Sequence, residues 1–219
     1  ADSTKTLDVD GGTIKLDGNY PTGTGNVALG DTALDSVAAS GNNNTAVGSN
    51  AGTAITTGDN NTLIGSLAGD ALDAGGNNVA IGFRALSAED GHGTNIAIGS
   101  DALKVQNAGT NAYNIAIGHD AGKAVTTGVQ NTLIGGSAGD ALTDADYNTA
   151  LGNAALGSDT KGSRSVAIGH NALTTQNFTT ATDTYNVAVG QNAGLNVTTG
   201  VQNTLIGGLA GDALTVGVR

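Results

Sequence analysis

The sequence predicts an all-β chain wound as a parallel β-solenoid of about eleven coils, mostly 17 residues each. Three observations lead there. A nonapeptide of the form Asn-Ile-Ala-Ile-Gly-Ser-Asp-Ala-Leu, as at residues 95–103, recurs through nearly the whole chain. Aligned on its glycine it falls at Gly30, Gly48, Gly65, Gly82, Gly99, Gly118, Gly135, Gly152, Gly169, Gly190 and Gly207, mostly 17 residues apart, a period too short for helical-pair arrays but suited to one solenoid turn. The 219 residues include 36 Gly, one Pro and only 3% aromatics, too few large side chains for an ordinary globular core but enough for a narrow apolar column.

Within the repeat, Val79-Ala80-Ile81 and its equivalents read as short strands rich in β-branched residues. The residue before each glycine is Leu, Ile or Val, from Leu29 to Ile206, and is expected to form a buried stripe. Three residues after each glycine stands Ala, from Ala33 to Ala210, an inward position too narrow for anything larger. The glycine itself is expected at a corner where a side chain would clash or φ is positive. Four residues before it stand Asn26, Asn44, Asn61, Asn78, Asn95, Asn114, Asn131, Asn148, Asn186 and Asn203, with Ser165 in the remaining copy. Stacked at strand spacing, about 4.7 Å, these amides form a ladder that satisfies turn polar groups no single coil could satisfy. Burial within one coil does not offset the entropy of ordering 17 residues, so stability has to come from stacking on neighbours.

Residues 1–25 stand apart from the repeats, which occupy 26–219. Leu7-Asp8-Val9 and Thr13-Ile14-Lys15-Leu16 around Gly11-Gly12 predict a β-hairpin that caps the solenoid or joins subunits. Within the repeats runs a longer period. The residue four after the glycine reads Leu34, Gly52, Gly69, Leu86, Leu103, Gly122, Gly139, Leu156, Leu173, Gly194, Gly211, which recurs every four coils. Residues 126–142 match 198–214 at every position except Ser137 against Leu209, so the unit of duplication is a four-coil block. The longer coils begin at Gly30, Gly99 and Gly169 on the same schedule, and their extra residues are expected to bulge from one edge. Two of these bulges, 104–113 and 174–185, carry Tyr113, Phe178 and Tyr185, the candidates for surface binding.

The motif Asn-Val-Ala-Ile-Gly-x-x-Ala at residues 78–85, and Ser165-Val166-Ala167-Ile168-Gly169, resemble the head repeats of YadA-like trimeric autotransporter adhesins. Thr-Thr-Gly-x-Asn-Asn-Thr-Leu-Ile-Gly is similar to repeats of phage tail-fibre proteins. The resemblance covers residues 26–214 and implies a left-handed β-roll assembled as a homotrimer that adheres to an extracellular surface. Two features depart from it: the coils are longer than the adhesin repeat, and the chain has no coiled-coil stalk, anchor barrel or fibre-end chaperone domain, which suggests a fragment or a short stand-alone subunit.

Function classes narrow from the same residues. A net charge of −11 with scattered acidic residues argues against nucleic acid. No run of 18 apolar residues exists to span a membrane, and the absence of cysteine excludes disulfides and thiolate metal sites. P-loop, dinucleotide, G-x-S-x-G and H-E-x-x-H signatures are missing, so no catalytic residue, metal or cofactor is expected. His119 and His170 hold the same repeat position three coils apart, about 14 Å, too far to share an ion. Asp70, Asp140 and Asp212, repeated in Ala-Gly-Asp-Ala-Leu, are expected to hydrogen-bond a turn. The reading is a non-enzymatic shaft or head of a tail fibre or cell-surface adhesin, extracellular or on a virion. Its partners are copies of itself, as a homotrimer or a head-to-tail polymer joined through the hairpin, and a host-surface glycan or protein.

Overall fold

The computed structural model describes residues 23–217. The segment expected to form the N-terminal hairpin lies outside them, apart from the bend at residues 23–25. Eleven three-residue strands make one parallel sheet: β1 (Val27–Leu29), β2 (Thr45–Val47), β3 (Thr62–Ile64), β4 (Val79–Ile81), β5 (Ile96–Ile98), β6 (Ile115–Ile117), β7 (Thr132–Ile134), β8 (Thr149–Leu151), β10 (Val166–Ile168), β12 (Val187–Val189) and β13 (Thr204–Ile206). Two further strands, β9 (Gly162–Ser163) and β11 (Thr182–Asp183), pair beside it where the longest coil bulges. Each main strand meets the next in parallel with equivalent residues opposed, Ile96 to Ile115 and Ile98 to Ile117 for example. The described chain is thus a parallel β-solenoid with no helix, about 50 Å long at strand spacing.

The strands face the other way from the sequence expectation. The residues before the anchor glycines, Leu29 through Ile206, are half-buried or exposed. The middle residue of each strand is the one that points inward: Ala46, Leu63, Ala80, Ala97, Ala116, Leu133, Ala150, Ala167 and Ala188 are all fully buried. A three-residue strand offers one side chain to one face and two to the other. The single inward place is held by alanine in eight of the eleven strands and by Leu63, Leu133 and Leu205 in the others, while the residues on either side of it line the outside.

The core closes by exchanging volume between coils. Where the mid-strand residue is Ala and the residue four after the glycine is Leu, as with Ala97 and Leu103, the leucine fills the column. Where that later residue is Gly, a large neighbour takes the room. A Cβ on Gly122 would lie 2.8 Å from Leu133 Cδ1 and 3.0 Å from Leu103 Cδ2. The leucines at this position adopt left-handed backbone, φ 48° at Leu103 and 54° at Leu86. That conformation costs roughly 1–2 kcal/mol, which burial of the side chain, worth about 1.5–3 kcal/mol, offsets.

Two columns fix the coil-to-coil distance. The anchor glycines hold φ between 123° and 139°, a region side chains avoid, and from Gly30 to Gly190 a Cβ on each would collide with the backbone of the next coil's glycine. Beside them runs the asparagine ladder. Asn61, Asn78, Asn95, Asn114, Asn131 and Asn148 each donate their backbone N–H to the side-chain oxygen of the preceding asparagine, at 2.8–3.1 Å. Most of their amides then donate to a carbonyl of the following turn, Asn131 to Ala145 at 2.8 Å and Asn148 to Gly162 at 2.9 Å. Ser165 ends the run by donating to Asn148, and Asn186 restarts it toward Asn203.

Gly118→Ala is therefore expected to lose about 2–4 kcal/mol, combining left-handed strain with backbone overlap. Leu133→Ala, which opens a cavity beside Gly122 and Gly139, should lose about 2–5 kcal/mol. Urea denaturation followed by circular dichroism checks both, and a Gly118→Ala protein as stable as the parent would contradict the packing described.

Candidate functional site

Three features of the described surface and interior have chemical capacity. The first is the outer face of the main sheet. Its two columns hold Val, Ile or Thr at the first strand position and Leu, Val or Ile at the third, with no charged residue in either. The strip is about 50 Å long and continuous from Leu29 to Ile206. In the third-position column Leu29, Ile64, Leu151 and Ile206 are exposed and the others half-buried, which makes it an apolar patch of the size that often serves as a contact surface.

The second is the edge carrying the residue just before each ladder asparagine. All of these from Asn43 to Gln202 adopt positive φ, and among them Tyr113, Tyr147 and Tyr185 occupy alternate coils at φ 54°, 61° and 50°. Tyr113 is 54% exposed and Tyr185 52%. Tyr147, overlooked in the sequence because it sits in a coil of regular length, shares their column and is legible once the repeat is aligned. Arg164 between them places its guanidinium 4.5 Å from the Tyr147 ring centroid and pairs with Asp183 at 3.0 Å, which Tyr185 also reaches through its hydroxyl at 3.4 Å. Phe178 differs from expectation. It is only 8% exposed, and its N–H donates to the buried Asp159 at 2.9 Å, so the bulge folds this ring inward and removes it from the surface candidates.

The third is a pair of buried polar islands seven residues after the glycine in coils that carry leucine at the fourth. Glu89 with Gln106, and Asp159 with Gln176, occupy equivalent places one four-coil block apart, all fully buried. In the second island every group is satisfied. Asp159 accepts from the N–H groups of Gly162 and Phe178 and from the Gln176 amide, which also donates to Ser165; Asn186 in turn donates to Gln176. At the one break in the ladder the Ser165 hydroxyl accepts from the Gln176 amide and pairs with the Thr184 hydroxyl. The first island is not satisfied. Both oxygens of Glu89, the Gln106 amide nitrogen, the Asn95 amide nitrogen and His92 Nδ1 are buried without a well-formed hydrogen bond, five of the eight such atoms among the described residues, although the His92 backbone N–H and the Gln106 amide lie close enough to Glu89 to favour its ionised form. Burial raises the Glu89 carboxyl above its ordinary pKa, opposed mainly by the nearby backbone and ring of His92 and by Gln106.

Elsewhere, His119 is a surface residue 3.5 Å from Asp120. Asp70 and Asp140, expected in turn hydrogen bonds, are raised in pKa chiefly by burial, partly offset by their own backbone N–H. Among the described residues no helix is long and apolar enough to cross a membrane. Comparison with family models, curated proteins and solved structures finds no match to the chain.

The pKa of Asp70 and Asp140 gives a pH dependence. A carboxyl whose pKa is higher in the folded than the unfolded state removes stability as pH rises through that interval. Asp70→Asn with Asp140→Asn should thus raise the urea midpoint slightly at pH 7, with the gain gone below the ordinary aspartate pKa. Melting curves at pH 3 and pH 7 check this, and an equal shift at both would rule out a titration effect.

Proposed function

We propose that the chain is a non-enzymatic structural segment of a fibre, extracellular or on a virion, whose solenoids associate laterally as a homotrimer through the outer sheet face. The observation that carries this reading is the continuous outward stripe of Leu, Val and Ile from Leu29 to Ile206. In water such a stripe favours association, and a strip on the order of 500 Å² per chain falls at the upper end of what monomers expose. The absence of lysine or proline from the exposed columns supports the same reading, because surfaces meant to stay single usually carry such residues. The resemblance of the repeats to trimeric adhesin heads and tail fibres points the same way. The exposed tyrosines of the edge column, Tyr113, Tyr147 and Tyr185, are where the fibre would meet a host-surface glycan or protein, their rings standing about 9–10 Å apart at two-coil spacing.

Sedimentation equilibrium tests the assembly. The parent protein is expected at three times 21.2 kDa. A variant combining Ile98→Lys, Ile117→Lys and Ile134→Lys, all outward-facing, should sediment as a single chain with unchanged circular dichroism. A monomeric parent, long end-to-end filaments, or a triple variant with the parent's mass would each sink the lateral reading.

A further inference from the structure

The unsatisfied island at Glu89 lies beside two side chains that its internal copy does not have. Aligning the blocks sets Glu89 against Asp159, Gln106 against Gln176, Asn95 against Ser165, Asp90 against Thr160 and His92 against Gly162. The second set closes on itself with protein hydrogen bonds alone. The first places a carboxylate oxygen of Glu89, one of Asp90 and a ring nitrogen of His92 within 4.8 Å of one another, with His92 Nδ1 4.0 Å from Glu89 Oε1. We propose that Glu89, Asp90 and His92 form a binding site for a divalent transition cation of the zinc class.

The chemistry of the donors supports the choice. Two carboxylates and a neutral imidazole carry two negative charges, which a divalent ion balances, and mixed nitrogen and oxygen donors suit zinc better than calcium or magnesium. Tetrahedral metal–ligand bonds of about 2.0–2.2 Å set donor atoms roughly 3.3–3.6 Å apart, so the widest of the three separations has to close by about an ångström when an ion binds. The intervening Gly91 has open space around it, leaving the loop free to make that adjustment. Glu89 is fully buried and lacks a well-formed hydrogen bond, while Asp90 and His92 reach the surface and give an ion its path inward. The buried amide of Gln106, which lies close to Glu89 without a well-formed bond, corresponds to the Gln176 amide that bonds Asp159, and would hold the carboxylate oxygen that the metal leaves free. A bound cation would thereby do in the first block what a complete set of protein hydrogen bonds does in the second.

The copy also supplies the test. Asp90→Thr and His92→Gly reproduce residues that the same fold already accommodates at Thr160 and Gly162, so both variants are expected to fold. Protein stripped with chelator is titrated with zinc chloride by calorimetry and with cobalt chloride by visible absorption. The parent should bind one ion per chain, show cobalt d–d bands, and melt roughly 5–10 °C higher at zinc a hundredfold above its Kd. His92→Gly should weaken binding by more than about tenfold, since loss of a direct ligand costs at least as much as loss of its support. His119→Gln, which removes the surface imidazole beside Asp120, should bind as the parent does. No binding by the parent, meaning that solvent alone fills the island, would overturn the proposal; so would His92→Gly binding as tightly as the parent.

Discussion

The close approach of one coil's glycine to the next is the constraint on which the rest of this structure depends. Along the column from Gly30 to Gly207 the backbone turns at φ near 130°, and from Gly48 onward each N–H donates to the last strand carbonyl of the preceding coil, as Gly118 does to Ile98 at 2.7 Å. A side chain there would wedge the coils apart. The three-residue strands, the asparagine ladder and the leucine column all require strand spacing, so losing it at the glycines would loosen all of them. Each coil is too small to bury a core of its own, which makes the stack the unit of stability.

The period, the solenoid and the need for glycine could all be read from the sequence, because they follow from the repeat itself. The inside-outside assignment could not. Val-Ala-Ile looks like an apolar run whose largest members should be buried, and hydrophobicity alone favours that choice. Geometry overrides it: with three residues per strand only the middle side chain enters the column, and the column is narrow because a leucine such as Leu86 or Leu103 already enters it from the turn. The alternation of Leu and Gly four residues after the anchor was visible as a pattern, but its meaning lay in the facing coil. Gly122 makes sense only beside Leu133.

The polar interior was harder still to anticipate. Glu89, Gln106, Asp159 and Gln176 occur in stretches that read as surface turns, and nothing local distinguishes them from the exposed acids around them. Their common distance from the anchor glycine was the available signal, and the same alignment would have found Tyr147 with Tyr113 and Tyr185. Phe178 illustrates the opposite error. An aromatic in an insertion suggests a surface contact, yet Asp159, buried below it, draws the Phe178 backbone N–H down and the ring follows.

The alternation of large and small residues between coils also restricts how such a chain can change its length. Removing the coil of Leu133 would set Gly122 against Ala150 and open a void where Leu133 now packs. Removing one of two consecutive coils with alanine in mid-strand and leucine four after the glycine, such as that of Leu86, leaves only neighbour pairs already present elsewhere in the stack. Such a chain can change length at its paired leucine coils while each glycine-bearing pair has to be kept whole, so side-chain volume decides where the stack can grow.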